Sequence, residues 1–139
     1  MRPEIWGPHA WIFLHSVTLE YPDNPTDEDK QNMINFINSL GYVLPCIKCR
    51  NNFKIHLTKF PLTDKVLETK QNLVYWLIDI HNCVNDIKKT KKLSYAEGLG
   101  NLLEHYENDK DKDKSFFYIL TFIILFLVVL VVLGYIFLK

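Results

Sequence analysis

The sequence has few cysteines, no excess of charge of either sign and no stretch in which apolar and polar residues alternate as in a strand. Three cysteines are too few for a small secreted domain held together by disulfides. A formal net charge of zero offers no basic surface for nucleic acid, so no nucleic-acid partner is expected. Residues 1–14 have no basic start, unbroken apolar run or small-residue cleavage site, so no signal peptide is expected there.

The longest apolar run covers residues 116–138, where no charged residue occurs. At about 1.5 Å per residue this helix is roughly 34 Å long, enough to cross a hydrocarbon core of about 30 Å. The alternative is a buried core helix, but a domain this small could hardly surround a helix that is apolar on every face. We therefore predict a transmembrane helix at 116–138, a charged linker at 108–115 and a folded domain at 1–107.

The position of this segment bears on its orientation. A span that is synthesised last is inserted after the domain before it has been made, so the domain is expected to face the cytosol. Lys110, Lys112 and Lys114 favour this weakly under the positive-inside tendency. The resulting prediction is a single-pass, C-terminally anchored membrane protein.

Within residues 1–107 the apolar residues recur at helical spacing, which predicts an all-α bundle. Capping-box patterns at residues 26–29 and 94–97 mark the starts of two helices. The predicted helices run from about Pro8 to Glu20, from Thr26 to Leu40 with Gly41 as a break, from Pro45 to Phe60, from Thr69 to Lys88, and from Ser94 to Tyr106.

The third predicted helix begins with a C-x-x-C motif formed by Cys46 and Cys49. Two cysteines at this spacing can close a small disulfide, and a helix start beside Lys48 favours the reactive thiolate. C-x-x-C is also half of a common zinc site, but His56, His81 and Cys83 supply no second pair at the usual spacing. Redox chemistry is thus favoured over zinc, and a thioredoxin-like fold is disfavoured because its strands are missing.

Two helices pair an imidazole with a second ring or amide four residues away: Trp11 with His15, and His81 with Asn85. Each residue alone would be assigned to core filling. Beside a redox cysteine pair, the two sets together indicate a bound aromatic cofactor. The lysines that follow the fourth helix either form a solvated face or meet the phosphates of a nucleotide: Lys88, Lys89, Lys91 and Lys92.

Four segments occur in an order that resembles the Erv/ALR family of FAD-linked sulfhydryl oxidases, especially its small members from large DNA viruses. They are W-G-P-H-A-W-I-F-L-H at 6–15, Tyr21-Pro22, P-C-I-K-C at 45–49 and W-L-I-D-I-H-N-C-V-N at 76–85. A lone C-x-x-C is a weak signal, whereas the ordered set is strong. The resemblance covers most of the soluble domain.

The resemblance implies a four-helix bundle with a short fifth helix that holds FAD, and a homodimer formed through the first two helices. It implies that substrate thiolate attacks Cys46, and that electrons pass from Cys49 through flavin to dioxygen, giving hydrogen peroxide. The substrate would be a dithiol protein or a thioredoxin-like relay protein. The implied cofactor-binding residues are Gly7, Trp11, His15, Tyr21, His81, Val84, Asn85, Lys88 and Lys91.

Three departures from the family pattern affect these expectations. Gly7-Pro8 replaces a Gly-Arg pair, so no arginine contact carries over. The structural disulfide that clamps the loop after the fourth helix in cellular members is missing, and Ile78 stands near its first position. No second C-x-x-C is present to carry electrons from substrates.

The membrane is expected to be viral or an internal membrane of the host. Cys83 is interpreted as a buried or unpaired thiol. The alternative function is a non-enzymatic, membrane-tethered helical adaptor whose C-x-x-C is structural or binds zinc.

Overall fold

The computed structural model describes residues 1–137, and the side chains of all of these except 108–115 and 136–137. Over that range it contains helices and no strand, which confirms the predicted all-α class. Leu138, the last residue of the predicted span, lies outside the described residues. The helices are α1 Pro3–Leu19, α2 Asp27–Val43, α3 Ile47–Lys59, α4 Lys70–Lys88 and α5 Tyr95–Phe137, with a single 3₁₀ turn at Val66–Glu68.

The fourth helix is the centre of the bundle. It packs against α1, α3 and the 3₁₀ turn, while α2 packs against α3. Leu73, Leu77 and Ile80 of α4 are completely buried. These apolar side chains recur at helical spacing, so a single stripe of α4 faces the core and the hydrophobic effect fixes its orientation.

Side-chain caps define where three of the helices begin. Thr26 Oγ1 accepts a hydrogen bond from the Asp29 backbone N–H at 3.2 Å, and an Asp29 carboxylate oxygen accepts one from the Thr26 N–H at 2.8 Å. Thr69 Oγ1 caps α4 in the same way, by accepting from the Asn72 N–H at 3.2 Å. The pairing of Ser94 with Glu97 repeats the capping box at α5, so both predicted boxes are confirmed.

Two predicted helix boundaries are wrong. Each was placed at a residue that usually interrupts a helix but that here lies inside one. Helix α1 begins at Pro3 and continues through Pro8. Gly7, which precedes Pro8, has no Cβ to clash with the proline ring, and this lowers the cost of helical backbone there. Gly41 does not end α2: it is buried within the helix, where an added Cβ would lie 3.1 Å from Lys54 Cγ. That glycine serves close packing against α3.

The chain divides into two compact units, Met1–Leu102 and Leu103–Lys139. Helix α5 is assigned without a break from Tyr95 to Phe137, so the predicted end of a short fifth helix at Tyr106 is wrong. The sequence between Tyr106 and Phe116 contains neither proline nor glycine that would stop it. The division into a domain at 1–107, a linker at 108–115 and a span at 116–138 stays a prediction.

The second unit carries the apolar run. Phe116–Tyr135 is a helix long and apolar enough to cross a membrane, and none of it is buried in the structure. A soluble core helix would be covered by other elements, whereas this one presents large apolar side chains over its whole circumference.

Candidate active site

Cys46 and Cys49 form a disulfide, with their Cα atoms 5.1 Å apart. Cys46 is the N-cap of α3, and its sulfur accepts a hydrogen bond from the Cys49 backbone N–H at 3.2 Å. The preceding turn is held by Arg50, whose Nε donates to the Leu44 carbonyl at 2.6 Å. Since the positive end of the helix and an N–H group both point at Cys46, its thiolate is stabilised once the disulfide is reduced.

The two cysteines lie between the surface and the core. Cys49, Phe53 and His56 are spaced four and three residues apart along α3, which places them on one helix face. Phe53 and His56 are buried, at 6% and 7% exposure, so this face points inward. Ile47, directly after Cys46, is 74% exposed. Both cysteines are half-buried: helical spacing places Cys49 on the inward face of α3, while Cys46 lies at the N-cap, next to the exposed Ile47.

A cluster of rings lies where α1 packs on α4. The Trp11 indole stacks on the His81 imidazole, with ring centroids 3.9 Å apart and planes inclined by 7°. His15 Nε2 and His81 Nδ1 are joined by a hydrogen bond of 3.1 Å. The structure thus brings together three of the residues that were predicted to contact a cofactor.

Both histidines of the cluster are neutral near pH 7. Burial lowers the pKa of His15 to about 4. Burial also lowers the pKa of His81 to about 4, with smaller contributions from His15 and Lys88. In a neutral pair one imidazole donates and the other accepts, and an uncharged stacked surface suits an aromatic ligand.

Helices α1 and α4 also carry four other residues that were predicted to bind the cofactor: Gly7, Val84, Asn85 and Lys88. Gly7 faces open space, since an added Cβ would meet no atom within 4 Å. Val84 and Asn85 are half-buried in the turn of α4 that follows His81. The amide oxygen of Asn85 accepts a hydrogen bond from Thr90 Oγ1 at 3.3 Å, and Lys88 is exposed at the end of α4.

Two predicted site residues are engaged elsewhere. Tyr21 is buried at 3% exposure, and its hydroxyl donates to the Leu67 carbonyl at 3.1 Å, which fixes the 3₁₀ turn to the end of α1. Lys91 forms an ion pair with Glu97, the residue that completes the capping box of α5. Among the described residues Lys88 makes no ion pair, which leaves it the better placed of the two lysines for an anion.

Sequence reasoning overlooked two residues inside the segments it had singled out. Asn82 Nδ2 donates to the Leu93 carbonyl and Asn82 Oδ1 accepts from the Leu93 N–H, both at 2.9 Å. This pair of bonds ties the chain after α4 back to the helix. Trp6 Nε1 is buried and lacks a hydrogen-bond partner in the described part of the chain. Both residues lie within the segments that the sequence analysis singled out, but only the structure shows which of their polar atoms have a hydrogen-bond partner.

The zinc alternative finds little support in the donor atoms. The sulfurs of Cys46 and Cys49 are bonded to each other. No group of three or more His, Cys, Asp or Glu side chains suited to a metal occurs among the residues whose side chains are described. Burial raises the pKa of the third cysteine, Cys83, so it is a poor nucleophile at neutral pH.

A helical bundle with a half-buried disulfide at a helix start and a half-buried ring cluster is the architecture of a helical thiol–disulfide oxidoreductase. The model of the Erv1 / Alr family matches residues 8–119, and the chain belongs to that family. It is 48% identical over 119 residues to a probable FAD-linked sulfhydryl oxidase of Acanthamoeba polyphaga mimivirus, covering 86% of this chain and 83% of the relative.

Two further relatives agree with this assignment. An FAD-linked sulfhydryl oxidase of African swine fever virus (isolate Warthog/Namibia/Wart80/1980) is 35% identical over 92 residues, which is 66% of this chain and 75% of the viral protein. The crystal structure of the FAD binding domain of Erv1 from Saccharomyces cerevisiae superposes with a TM-score of 0.65 at 30% identity. That match covers 70% of this chain and 90% of the yeast chain.

Proposed function

We propose that this protein is an FAD-linked thiol oxidase that forms disulfides in protein substrates and passes the electrons to dioxygen, giving hydrogen peroxide. The observation that carries the proposal is the Cys46–Cys49 disulfide at the start of α3, in a bundle that matches the FAD binding domain of yeast Erv1. The non-enzymatic adaptor is not favoured, because the relatives are named as sulfhydryl oxidases.

The residues present suit an FAD cofactor. The flat Trp11–His81 stack offers a planar, uncharged surface, and the buried Trp6 Nε1–H has no acceptor among the residues whose side chains are described. We assign the aromatic part of the cofactor to Trp11, His15, His81, Val84 and Asn85, with Gly7 leaving room for it. When bound, FAD accepts two electrons at a time and returns them to dioxygen.

The phosphates of the cofactor need cationic partners. We assign this role to Lys88, which lies exposed at the end of α4 and makes no ion pair among the described residues. Lys91 would first have to leave Glu97. Tyr21 supports the site from within the core, through its bond to Leu67, and does not contact the cofactor in this proposal.

The first chemical step is thiol–disulfide exchange at Cys46. A substrate thiolate attacks Cys46 Sγ, a substrate–Cys46 bond forms, the Cys46–Cys49 bond breaks, and Cys49 leaves as a thiolate. The reverse assignment is less favourable because the sulfur of Cys49 is directed toward the buried face of α3. The released Cys49 thiolate lies on the inward face of α3, whereas Cys46 lies at the N-cap.

The second step completes the substrate disulfide. The second substrate thiolate attacks the substrate sulfur of the mixed disulfide, and Cys46 leaves as a thiolate. A thiolate of lower pKa leaves faster, and the N-cap position of Cys46 supplies that stabilisation. The substrate has then lost two electrons and two protons. The reduced Cys46–Cys49 pair would regain its disulfide by giving two electrons to the bound FAD.

We propose that the substrate is a dithiol protein, reached directly or through a thioredoxin-like relay protein, since no second C-x-x-C occurs in the sequence. We also propose a homodimer formed through α1 and α2. Phe13 of α1 is 58% exposed and meets Phe36 of α2 edge-on, with ring centroids 6.2 Å apart, so both helices present apolar surface. Phe13→Glu should convert a dimer into a monomer in sedimentation analysis.

We propose that Phe116–Tyr135 anchors the protein to a viral or internal host membrane, with the oxidase domain on the cytosolic side. The exposure of this apolar helix supports anchoring. Lys110, Lys112 and Lys114, just before the span, support the orientation weakly through the positive-inside tendency.

The function is tested on the full chain purified in neutral detergent. We expect a yellow protein with flavin absorption, which consumes oxygen when dithiothreitol is added. A colourless preparation that releases zinc to a chelator and consumes no oxygen would favour the adaptor instead.

A further inference from the structure

Exposed apolar side chains lie close to the reactive disulfide along the chain. Tyr42 and Val43, at the end of α2, are 68% and 64% exposed, and Ile47, next to Cys46, is 74% exposed. All three lie within four residues of Cys46 in the sequence. Several large apolar side chains exposed on the segment that carries a reactive group indicate a surface that a partner covers.

The segment of chain that carries the disulfide has charge of one sign only. No aspartate or glutamate occurs between Asp29 and Asp64, a stretch that contains most of α2 and all of α3. The charged residues of this stretch are Lys30, Lys48, Arg50, Lys54 and Lys59.

Two of these lysines lie next to the apolar side chains. Lys48 stands between the two cysteines and is exposed. Lys54 Nζ lies 3.9 Å from the centre of the Tyr42 ring. Neither lysine forms an ion pair with any residue whose side chain is described, so both charges are available to an incoming partner.

We infer that Tyr42, Val43, Ile47, Lys48 and Lys54 form a docking face for an acidic, cysteine-bearing segment of the substrate or relay protein. This inference rests on the proposed function, because exchange at Cys46 requires the partner's cysteine to lie against this surface. An apolar residue beside that cysteine packs on Tyr42 and Ile47, while carboxylates meet Lys48 and Lys54. Charge complementarity of this kind raises association rates and aligns the attacking thiolate.

The test compares two dithiol peptides of equal length, each with a C-x-x-C and the same apolar neighbour. One is flanked by aspartate and glutamate, the other by lysine. Oxygen consumption by the full chain in neutral detergent gives kcat/KM for each peptide. At low ionic strength we expect the acidic peptide to be preferred by about tenfold, the lower end of the range for electrostatic steering. In 1 M salt the preference should shrink toward unity.

Matched variants locate the effect. Lys48→Gln with Lys54→Gln removes two charges and keeps the Cγ of residue 54 that lies nearest Gly41. We expect the ratio between the two peptides to fall severalfold in this variant. Lys65→Gln removes an exposed charge outside the docking face and should leave the ratio unchanged.

Three outcomes would separate or overturn these conclusions. Equal kcat/KM for the two peptides in the unmodified protein overturns the docking face while the oxidase stands. Failure to oxidise dithiothreitol at all overturns the proposed function instead. If Tyr42→Ala turns a dimer into a monomer, the face is an interface between two copies of this chain and the proposal is wrong.

Discussion

The pair formed by the buried His15 and the half-buried His81 makes the site sensitive to acid. Each imidazole has a pKa of about 4 in the folded protein against an ordinary value of 6.5. Between these two values the unfolded chain binds more protons than the folded one, so the free energy of unfolding decreases as the pH falls. At one pKa unit per 1.36 kcal/mol, one such imidazole accounts for about 3 kcal/mol, and the coupled pair for less than twice that.

We therefore expect the protein to lose stability, and with it flavin, as the pH is lowered from about 6.5 to about 4. Thermal melts and the fluorescence of released flavin across this range measure both. His81→Gln should flatten the pH dependence and weaken FAD binding, whereas His9→Gln, at an exposed position of α1, should do neither. An unchanged flavin content in His81→Gln would mean that the imidazole only fills the core.

The cysteines are distinguished by the colour of single variants. Cys46→Ser should abolish dithiol turnover and leave the Cys49 sulfur unpaired on the inward face of α3. A thiolate there, in contact with flavin, should produce a long-wavelength charge-transfer band that Cys49→Ser lacks. The reverse pattern would exchange the two roles. Cys83→Ala should keep most of the activity, because Cys83 is outside the disulfide.

The sequence allowed the chemistry of these residues to be predicted better than their surroundings. The spacing of Cys46 and Cys49 showed that a disulfide could form but left half of a zinc site open, and the ordered set of four segments favoured the disulfide. The hydroxyl of Tyr21 and the ammonium of Lys91 could not be placed from sequence. Their partners, Leu67 and Glu97, depend on how distant segments pack.

The start of α5 is held against α4 by non-covalent contacts rather than by a disulfide. Besides the Asn82–Leu93 pair, the Tyr75 and Tyr95 rings stack with centroids 4.2 Å apart, and the Tyr95 hydroxyl donates to Asp79 at 3.1 Å. The fully buried Ile78 fills the space left by Gly98. Since none of these contacts is a disulfide, thiol reductants should not loosen the junction.

Two glycines of α5 provide a matched test of this packing. A Cβ at Gly98 would lie 3.0 Å from Ile78 Cδ1, whereas one at Gly100 would meet nothing within 4 Å. Gly98→Ala gains the same helix propensity as Gly100→Ala but costs about 1–3 kcal/mol through overpacking, so its free energy of unfolding should be lower than that of Gly100→Ala by this amount. Gly100→Ala should raise the free energy of unfolding by up to about 1 kcal/mol through helix propensity. Thermal melts of both variants decide the matter, and equal shifts would show that Ile78 moves aside freely.

Helix interiors were predicted well, and the errors lie where local signals compete with packing. The capping boxes at Thr26 and Ser94 depend on neighbours in the sequence, so their pattern was sufficient. Gly41 has the sequence signature of a helix end, yet the stem of Lys54 crosses it and the helix continues. That contact joins two helices, so the sequence around Gly41 alone gives no sign of it.

The two units of the whole chain should be separable in function. Every proposed cofactor contact lies before Leu102, within the first compact unit. A truncated protein of residues 1–107 should therefore bind FAD and oxidise dithiothreitol without the apolar helix. Absorption spectra of the truncated protein, refolded with excess FAD if necessary, test this. Persistent absence of flavin would show that the second unit contributes to the fold or to the site.

The orientation of the full chain in a membrane decides which thiols it can oxidise. A lumenal domain would work where disulfides persist, whereas a cytosolic one works against reducing conditions. Lys110, Lys112 and Lys114, just before the span, favour the cytosolic side weakly, because they alternate with Asp109, Asp111 and Asp113. Protease added to intact vesicles with their cytosolic face outward should digest the domain and leave only the helix protected. An Asn-x-Ser/Thr acceptor appended after Lys139 should be glycosylated in membranes of the endoplasmic reticulum. A protected domain with an unmodified tail would place Cys46 in the lumen, which would reverse the proposed orientation and leave the oxidase chemistry intact.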